Sequence, residues 1–196
     1  MPVGSAAVPD GDYARLVAGL VRAIEPFDER EARDRADTLA WVASGATLCR
    51  TAKPATPPEH LVSYIVAVDP AERQVLLVDH RLSGLWLPAG GHVEPGEHPA
   101  DTARREMDEE LGIAASLLGD RDGPRMVTRT RTVQGDHLDV SLWYAFAVPT
   151  SAELAWDRRE FLGVRWWPYE AIRHGAATRF DPELPRFVAK LASGVS

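Results

Sequence analysis

The stretch from Gly90 to Ile113 constrains this chain more than any other. It reads GGHVEPGEHPADTARREMDEELGI, and three glycines and a proline precede its first helical pattern. Glycine adopts backbone angles that other residues avoid and lets the backbone approach a ligand closely, so these residues predict a tight, shaped loop. A helix is expected to begin near His98 or Pro99, because a proline at the first helical position loses no hydrogen bond.

The predicted helix carries an apolar stripe beside an acidic one. At about 100° per residue, one face collects Ala100, Ala103, Met107 and Leu111, and this face is expected to be buried. Glu106, Glu109 and Glu110 fall next to it, spaced so that their carboxylates reach one another. Their repulsion destabilises the helix unless a cation neutralises it. Oxygen ligands suit Mg²⁺ or Mn²⁺, whereas zinc is disfavoured because no histidine or cysteine lies on this face. The alternative is a solvated acidic surface.

The spacing of these residues resembles the signature of the Nudix hydrolases, the MutT-like family, without a mismatch. The matching positions are Gly91, Glu97, Arg105, Glu106, Met107, Glu109, Glu110, Gly112 and Ile113. The resemblance implies an α/β fold, the Nudix αβα sandwich with a mixed sheet. It also implies hydrolysis of a diphosphate linkage in a nucleoside diphosphate derivative, with metal-activated water attacking phosphorus.

The same resemblance implies roles for individual residues. Glu106, Glu109 and Glu110 correspond to the metal ligands, and the Gly90 carbonyl is a candidate further ligand. Arg105 is expected to pair with Glu97 and to hold the loop against the helix. Glu106 is also the family-based candidate for the base that deprotonates water.

Composition narrows the choice of partners. The net charge of −7 provides no basic surface for a nucleic-acid polymer or an anionic membrane, which favours a small nucleotide substrate. Cys49 is the only cysteine, so neither an internal disulfide nor a cysteine metal cluster can form. No stretch approaches the roughly 18 apolar residues that span a bilayer, and no targeting segment is visible at the start. We therefore expect a cytoplasmic protein.

The pattern before the box predicts an extension over residues 1–58. Residues 1–10 are expected to be loose, and two helices are predicted at Tyr13–Ile24 and Asp28–Ala43, with Asp28 as an N-cap. A linker follows at Thr51–Pro58. The apolar stripes of the helices suggest either a homodimer interface or a wall of the substrate pocket. Residues 59–196 are expected to form the Nudix hydrolase domain.

The remaining elements follow from alternation and turn residues. Strands are predicted at Leu61–Val68, Gln74–Asp79, Leu85–Pro88, Arg125–Gln134, His137–Val148 and Val164–Trp167. The first two strands are expected to form a hairpin, as are the fourth and fifth, with a turn at Gly135–Asp136. Helices are predicted at Pro168–Arg173 and Asp181–Leu191.

Three residues outside the box are predicted to bind substrate. Arg129 and Arg131 are two residues apart on one face of a strand, where guanidinium groups bind phosphate, although a solvated face is the alternative. Many Nudix proteins place a further glutamate in the loop before the last strand. Its commonest position is Gly163 here, which leaves Glu160 as the nearest substitute. His137 and Asp139 are further candidates, with a structural role as the alternative.

The specific substrate is approached by elimination. Features typical of ADP-ribose, dinucleoside polyphosphate and coenzyme A enzymes are not found, which leaves a nucleoside triphosphate or related nucleotide. The alternative is a catalytically silent Nudix fold that binds nucleotides or regulates a partner. An isopentenyl diphosphate isomerase-like enzyme would need a cysteine at the active site, but Cys49 belongs to the extension.

Overall fold

The computed structural model describes residues 10–53, 55–119, 122–132, 137–175 and 179–194. The loose segment predicted for residues 1–10 lies outside this range except for its last residue, which begins a helix. The turn predicted at Gly135–Asp136 also lies outside it.

The described residues form five helices and eight strands, labelled here in chain order. The helices are α1 (Asp10–Arg22), α2 (Glu29–Ala43), α3 (Pro99–Leu111), α4 (Tyr169–Arg173) and α5 (Leu184–Ser193). The strands are β1 (Glu59–Asp69), β2 (Gln74–His80), β3 (Trp86–Leu87), β4 (Ala89–His92), β5 (Ser116–Leu117), β6 (Met126–Arg131), β7 (Leu138–Ala147) and β8 (Phe161–Pro168).

All strands belong to one mixed sheet with β1 near its centre. β1 pairs in parallel with β7 along almost its whole length and antiparallel with β4 between Val62 and Ile65. The predicted β1–β2 hairpin is present, but these strands pair only at Val68–Val75 and Asp69–Gln74. β2 then continues against β8 and β3. The sheet therefore opens between β1 and β2.

Helices cover both faces of the sheet. On one face, the cluster that includes Met107 and Leu111 of α3 also contains Val17 and Val21 of α1. On the other face, Ile172 of α4 packs with the apolar side of α5. These layers confirm the αβα sandwich predicted from the sequence.

The two N-terminal helices pack onto this same core. Val17 and Val21 are fully buried, and Asp28 caps α2 by accepting a hydrogen bond from the Glu31 amide, as predicted. Ion pairs also connect the start of α2 to α5. Lys190 of α5 forms a 2.7 Å ion pair with Glu31, and Arg186 of α5 forms one of 2.6 Å with Asp28. The apolar stripe of α1 is thus largely buried within the chain itself, whereas α2 buries Val42 but leaves Ala32 and Ala36 exposed.

Several sequence-based boundaries differ from the structure: α1 begins at Asp10 rather than Tyr13, and β8 begins at Phe161 rather than Val164. Gly90 and Gly91 were expected in a loop, but they lie in β4, paired with Tyr64 and Ser63 of β1. The last helix begins at Leu184 rather than Asp181, because the Asp181 carboxylate accepts a 2.8 Å hydrogen bond from the Glu183 amide and forms a turn there. In the described part of the chain, no helix combines the length and apolar character that crossing a membrane requires.

Candidate active site

The helix that carries the acidic residues begins and packs as its sequence predicts. His98 caps α3 by accepting a hydrogen bond from the Ala100 amide, and Pro99 occupies the first turn. The predicted apolar stripe is buried, with Ala103 and Met107 at 0% exposure. Burial of this stripe fixes the rotation of α3, so the acidic stripe beside it is held toward β4.

Arg105 joins the loop to the helix. Its Nε and Nη2 donate hydrogen bonds of 3.1 and 3.2 Å to the two carboxylate oxygens of Glu97. Thr102 Oγ1 donates a third bond, of 2.7 Å, to Glu97. Although burial of Glu97 would raise its pKa, the bonds from Arg105 and Thr102 outweigh that effect and lower it. The pairing implied by the family resemblance is therefore present, and Glu97 is held as a carboxylate.

The same guanidinium group orients the acidic residues of α3. Arg105 Nη1 donates a 2.7 Å hydrogen bond to Glu106 Oε1 and lies 3.4 Å from Glu109 Oε2. The Glu106 side chain is 14% exposed, whereas that of Glu109 is 59% exposed. The cluster thus has a buried side against the sheet and an open side from which a hydrated ion can enter.

Two glycines of β4 allow close approach, one to α3 and one to β1. A Cβ at Gly91 would lie 2.1 Å from Glu106 Oε1, and a Cβ at Gly90 would lie 2.5 Å from the Ser63 carbonyl oxygen of β1. The Gly90 amide donates a 3.0 Å hydrogen bond to Glu110 Oε2. Glycine at position 91 therefore allows Glu106 to reach the β4 backbone, and glycine at position 90 allows β4 to lie against β1.

The electrostatics of the cluster favour a cation. Burial, with a smaller contribution from the charges of Glu106 and Glu160, raises the pKa of Glu110 to about 8. The hydrogen bond from Gly90 opposes this rise. Burial also raises the pKa of Glu106, and Glu109 adds to the effect while Arg105 opposes it. Because the donors are all oxygens, partly buried and mutually repelling, they fit a hard divalent ion such as Mg²⁺.

Two adjoining cavities open beside this cluster. A small one of about 150 Å³ lies where β1 and β2 diverge, and its lining includes Gly90, Glu110, Glu160 and Asp139. A larger one of about 800 Å³ shares His80, His92 and Glu160 with it. Glu160 therefore lies at their junction, close enough to Glu110 to raise the pKa of that carboxyl.

Arg129 and Arg131 are placed elsewhere. They pair with Val140 and Leu138 of β7, so their side chains project from the face opposite to Asp139. Arg129 forms a 2.7 Å ion pair with Glu59, and neither arginine lines the two cavities. The structure thus places this pair outside the two cavities, and their contact with substrate stays a prediction.

Several cavity residues were missed in the sequence. Arg50 and Lys53, from the segment between α2 and β1, line the large cavity together with Arg81 and Arg159. Burial and the nearby Arg50 lower the pKa of His92 to about 4, so this imidazole is neutral at pH 7. The only sequence signal was the pair of basic residues in a stretch interpreted as a linker. Nothing local indicated that it faces the box.

Comparison with known proteins agrees with the fold and with the family resemblance of the sequence. The NUDIX domain family model matches residues 58–191. CTP pyrophosphohydrolase of Escherichia coli (strain K12) is 28% identical over 138 residues, which cover 68% of this chain and 96% of that protein. Rat bis(5'-nucleosyl)-tetraphosphatase [asymmetrical] is 58% identical over 33 residues, or 17% of this chain and 22% of that one.

Solved structures support the fold independently. The structure of the E. coli dihydroneopterin triphosphate pyrophosphohydrolase superposes with a TM-score of 0.54. It is 18% identical and covers 74% of this chain and 97% of its own. At this identity the likeness concerns the fold alone.

Proposed function

This chain belongs to the NUDIX family of hydrolases, whose members act on nucleoside diphosphate derivatives, and we propose that it hydrolyses a nucleoside triphosphate or related nucleotide with Mg²⁺. One observation carries the proposal. Glu106 and Glu110 converge on the β4 glycines beside a cavity whose far wall is basic. Such a site brings a metal-binding cluster and a polyphosphate-binding surface together.

Glu106, Glu109 and Glu110 would hold the ion, with the Gly90 carbonyl as a further candidate ligand. When bound, the ion would lower the pKa of a coordinated water and neutralise charge on the phosphate oxygens. Arg105 would act by positioning. It fixes Glu106 and Glu97 relative to each other, so the carboxylates need no rearrangement when the substrate arrives.

The basic wall suits a substrate with several phosphates. Arg50, Lys53 and Arg81 line the large cavity beside Glu160. Guanidinium and ammonium groups bind phosphate oxygens, and the guanidinium group does so with two parallel bonds. A triphosphate extending from the carboxylate cluster toward this wall would keep its hydrolysed link near the ion. The relative named for CTP supports this substrate class.

The direct test is to separate and identify the products of nucleoside triphosphates, sugar nucleotides and dinucleoside tetraphosphates after incubation with and without Mg²⁺. We expect Mg²⁺-dependent turnover of a triphosphate by the native chain. Glu109→Gln removes one ligand charge while keeping side-chain shape, so turnover should fall at least about a hundredfold. Asp108→Asn is the matched control, because it removes an exposed charge from the adjacent position of α3.

Each result has a distinct meaning. Near-normal turnover by Glu109→Gln would remove that residue from the ligand set. Preference for a dinucleotide would support the proposed hydrolase activity but replace the proposed substrate class. No turnover of any substrate by a folded, Mg²⁺-binding protein would instead favour the nucleotide-binding module.

A further inference from the structure

Three strands bring three imidazoles and one carboxylate together outside the acidic cluster of α3. His60 of β1 lies opposite Asp139 of β7 in the parallel pair. His92 of β4 lies opposite Val62, two residues from His60 and therefore on the same face of the sheet. His137 immediately precedes β7, and its ring stacks on His60 with centroids 5.2 Å apart.

The distances within this group are those of a metal site. Its four ligand atoms all lie within 4.8 Å of one another. Asp139 Oδ1 is 3.3 Å from Nε2 of both His60 and His137. Atoms bound at about 2.0–2.1 Å to a tetrahedral ion are about 3.3 Å apart, so two edges already have the required length. Small side-chain rotations would bring His92 into the remaining position.

A hydrogen bond outside the group fixes how one imidazole faces into it. His60 Nδ1 lies 2.8 Å from the Pro57 carbonyl oxygen, which can only accept, so this nitrogen carries the proton and Nε2 points at Asp139. Such outer contacts orient the histidine ligands of metal sites. Thr132 Oγ1 lies 3.1 Å from Nδ1 and 3.3 Å from Nε2 of His137, so it does not select one nitrogen of that ring.

Two atoms of the group are left without hydrogen-bond partners. His60 is 0% exposed, and neither its Nε2 nor Asp139 Oδ1 has a hydrogen-bond partner in the described part of the chain. Burying polar atoms without a partner is costly. The two atoms lie 3.3 Å apart, so a cation or a proton between them would remove this cost.

We propose that His60, His92, His137 and Asp139 form a second cation site, distinct from the α3 carboxylates, that binds a divalent transition metal of the zinc type. Imidazole ligands suit zinc, whereas the oxygen-only cluster suits Mg²⁺. Asp139 and His92 also line the small cavity, so the ion would clamp β1, β4 and the start of β7 at its wall. The assignment does not depend on the proposed hydrolysis.

Arg50 is the main electrostatic opponent of this site. Burial and Arg50 lower the pKa of His92 to about 4. They act in the same direction on His60, but its contacts with Asp139 and with the Pro57 carbonyl oxygen outweigh them and raise its pKa. The Asp139 carboxylate offsets that charge, and the three imidazoles bind metal in their neutral form. The competing arrangement is a protonated His60 paired with Asp139, which needs no metal.

The experiment uses Co²⁺ as a spectroscopic probe on the full chain after chelator treatment. Four-coordinate Co²⁺ absorbs visible light far more strongly than six-coordinate Co²⁺, so the spectrum separates this site from the α3 carboxylates. We expect one equivalent of strongly absorbing Co²⁺, displaced by Zn²⁺ and retained in Glu109→Gln. His92→Gln and Asp139→Asn should weaken binding at least about tenfold.

The outcomes decide between metal and proton. No strong absorption in the native chain would overturn the proposal in favour of the His60–Asp139 ion pair. A strong band that is unchanged in His92→Gln would also overturn it, because the ion would then be bound without His92. Loss of the band in Glu109→Gln would assign the ion to α3 instead. Circular dichroism of each metal-free variant verifies folding, and His137→Gln replaces any variant that does not fold.

Discussion

The signature box and the N-terminal extension both use buried charged groups, but for different ends. In the box, Arg105 holds Glu97 and Glu106 beside a cavity open to water. In the extension, Lys190 and Glu31 pair between α2 and α5 at 1% and 0% exposure. The first network orients groups that act on a ligand, whereas the second joins two helices. Substitutions in the two regions should therefore alter different measurements.

The largest expected effect lies in the extension and concerns stability. Lys190→Met leaves the Glu31 carboxylate buried without its cation, and breaking a buried pair in this way costs about 3–5 kcal/mol. We expect a correspondingly lower free energy of unfolding in urea, with the activity of the remaining folded protein unchanged. The double variant Glu31→Gln/Lys190→Met should recover most of the loss. Failure to recover would mean that Lys190 contributes mainly through its bond to the Glu25 carbonyl.

A smaller effect, on activity, is expected from the box. Arg105→Ala frees Glu97 and Glu106 without removing a metal ligand, so turnover should fall about 10–100-fold. The Mg²⁺ concentration for half-maximal activity should rise. Arg105→Lys should retain only part of the native turnover, because lysine cannot bond two oxygens in parallel. Arg104→Ala is the control, since its neighbouring guanidinium group pairs with Asp101 on the exposed side of α3. Equal losses in the two alanine variants would contradict a positioning role.

The smallest effect tests whether the extension also reaches the substrate. Arg50→Ala/Lys53→Ala removes two charges from the large cavity, and partly screened contacts of this kind should raise KM roughly tenfold. Turnover at saturation should change little. Arg33→Ala, which removes an exposed charge from α2, should leave both constants unchanged. An unchanged KM in the double variant would exclude the pocket-wall hypothesis.

The double variant Arg50→Ala/Lys53→Ala tests the pocket-wall hypothesis more specifically than deletion of the extension. Val17 and Val21 belong to the common core, so their removal would expose apolar surface throughout the fold. This burial gives the apolar stripe of α1 a partner within the chain, whereas Ala32 and Ala36 of α2 stay exposed. The homodimer stays a prediction that solution mass measurements can test.

Local patterns predicted much of this structure. Proline at the start of α3 and the apolar stripe at Ala103 and Met107 gave its location and its buried face, and alternation in β7 gave its two faces. The Arg105–Glu97 pair also follows from a short stretch of sequence. In each case the interacting groups are close in sequence, so short-range geometry suffices.

The remaining site depends on pairing between distant segments. His60 reaches Asp139 because β1 is parallel to β7, and Arg50 reaches the cavity because the segment before β1 passes along it. Neither relation leaves a periodic signal. For Arg129 and Arg131 of β6, the local pattern was interpreted correctly but did not show which way they face. Their shared face was correctly inferred from alternation, but the register turns that face away from Asp139.

The opening between β1 and β2 has a consequence for how this protein can be altered. The carboxylates lie on α3 and their glycine contacts on β4, while the basic residues of the large cavity come from residues 50–53 and from loops next to β2 and β8. The proposed metal ligands and the proposed phosphate-binding residues thus occupy separate segments of the chain. Exchanging residues 50–53 is expected to redirect this scaffold toward other nucleoside diphosphate derivatives while the acidic helix stays intact.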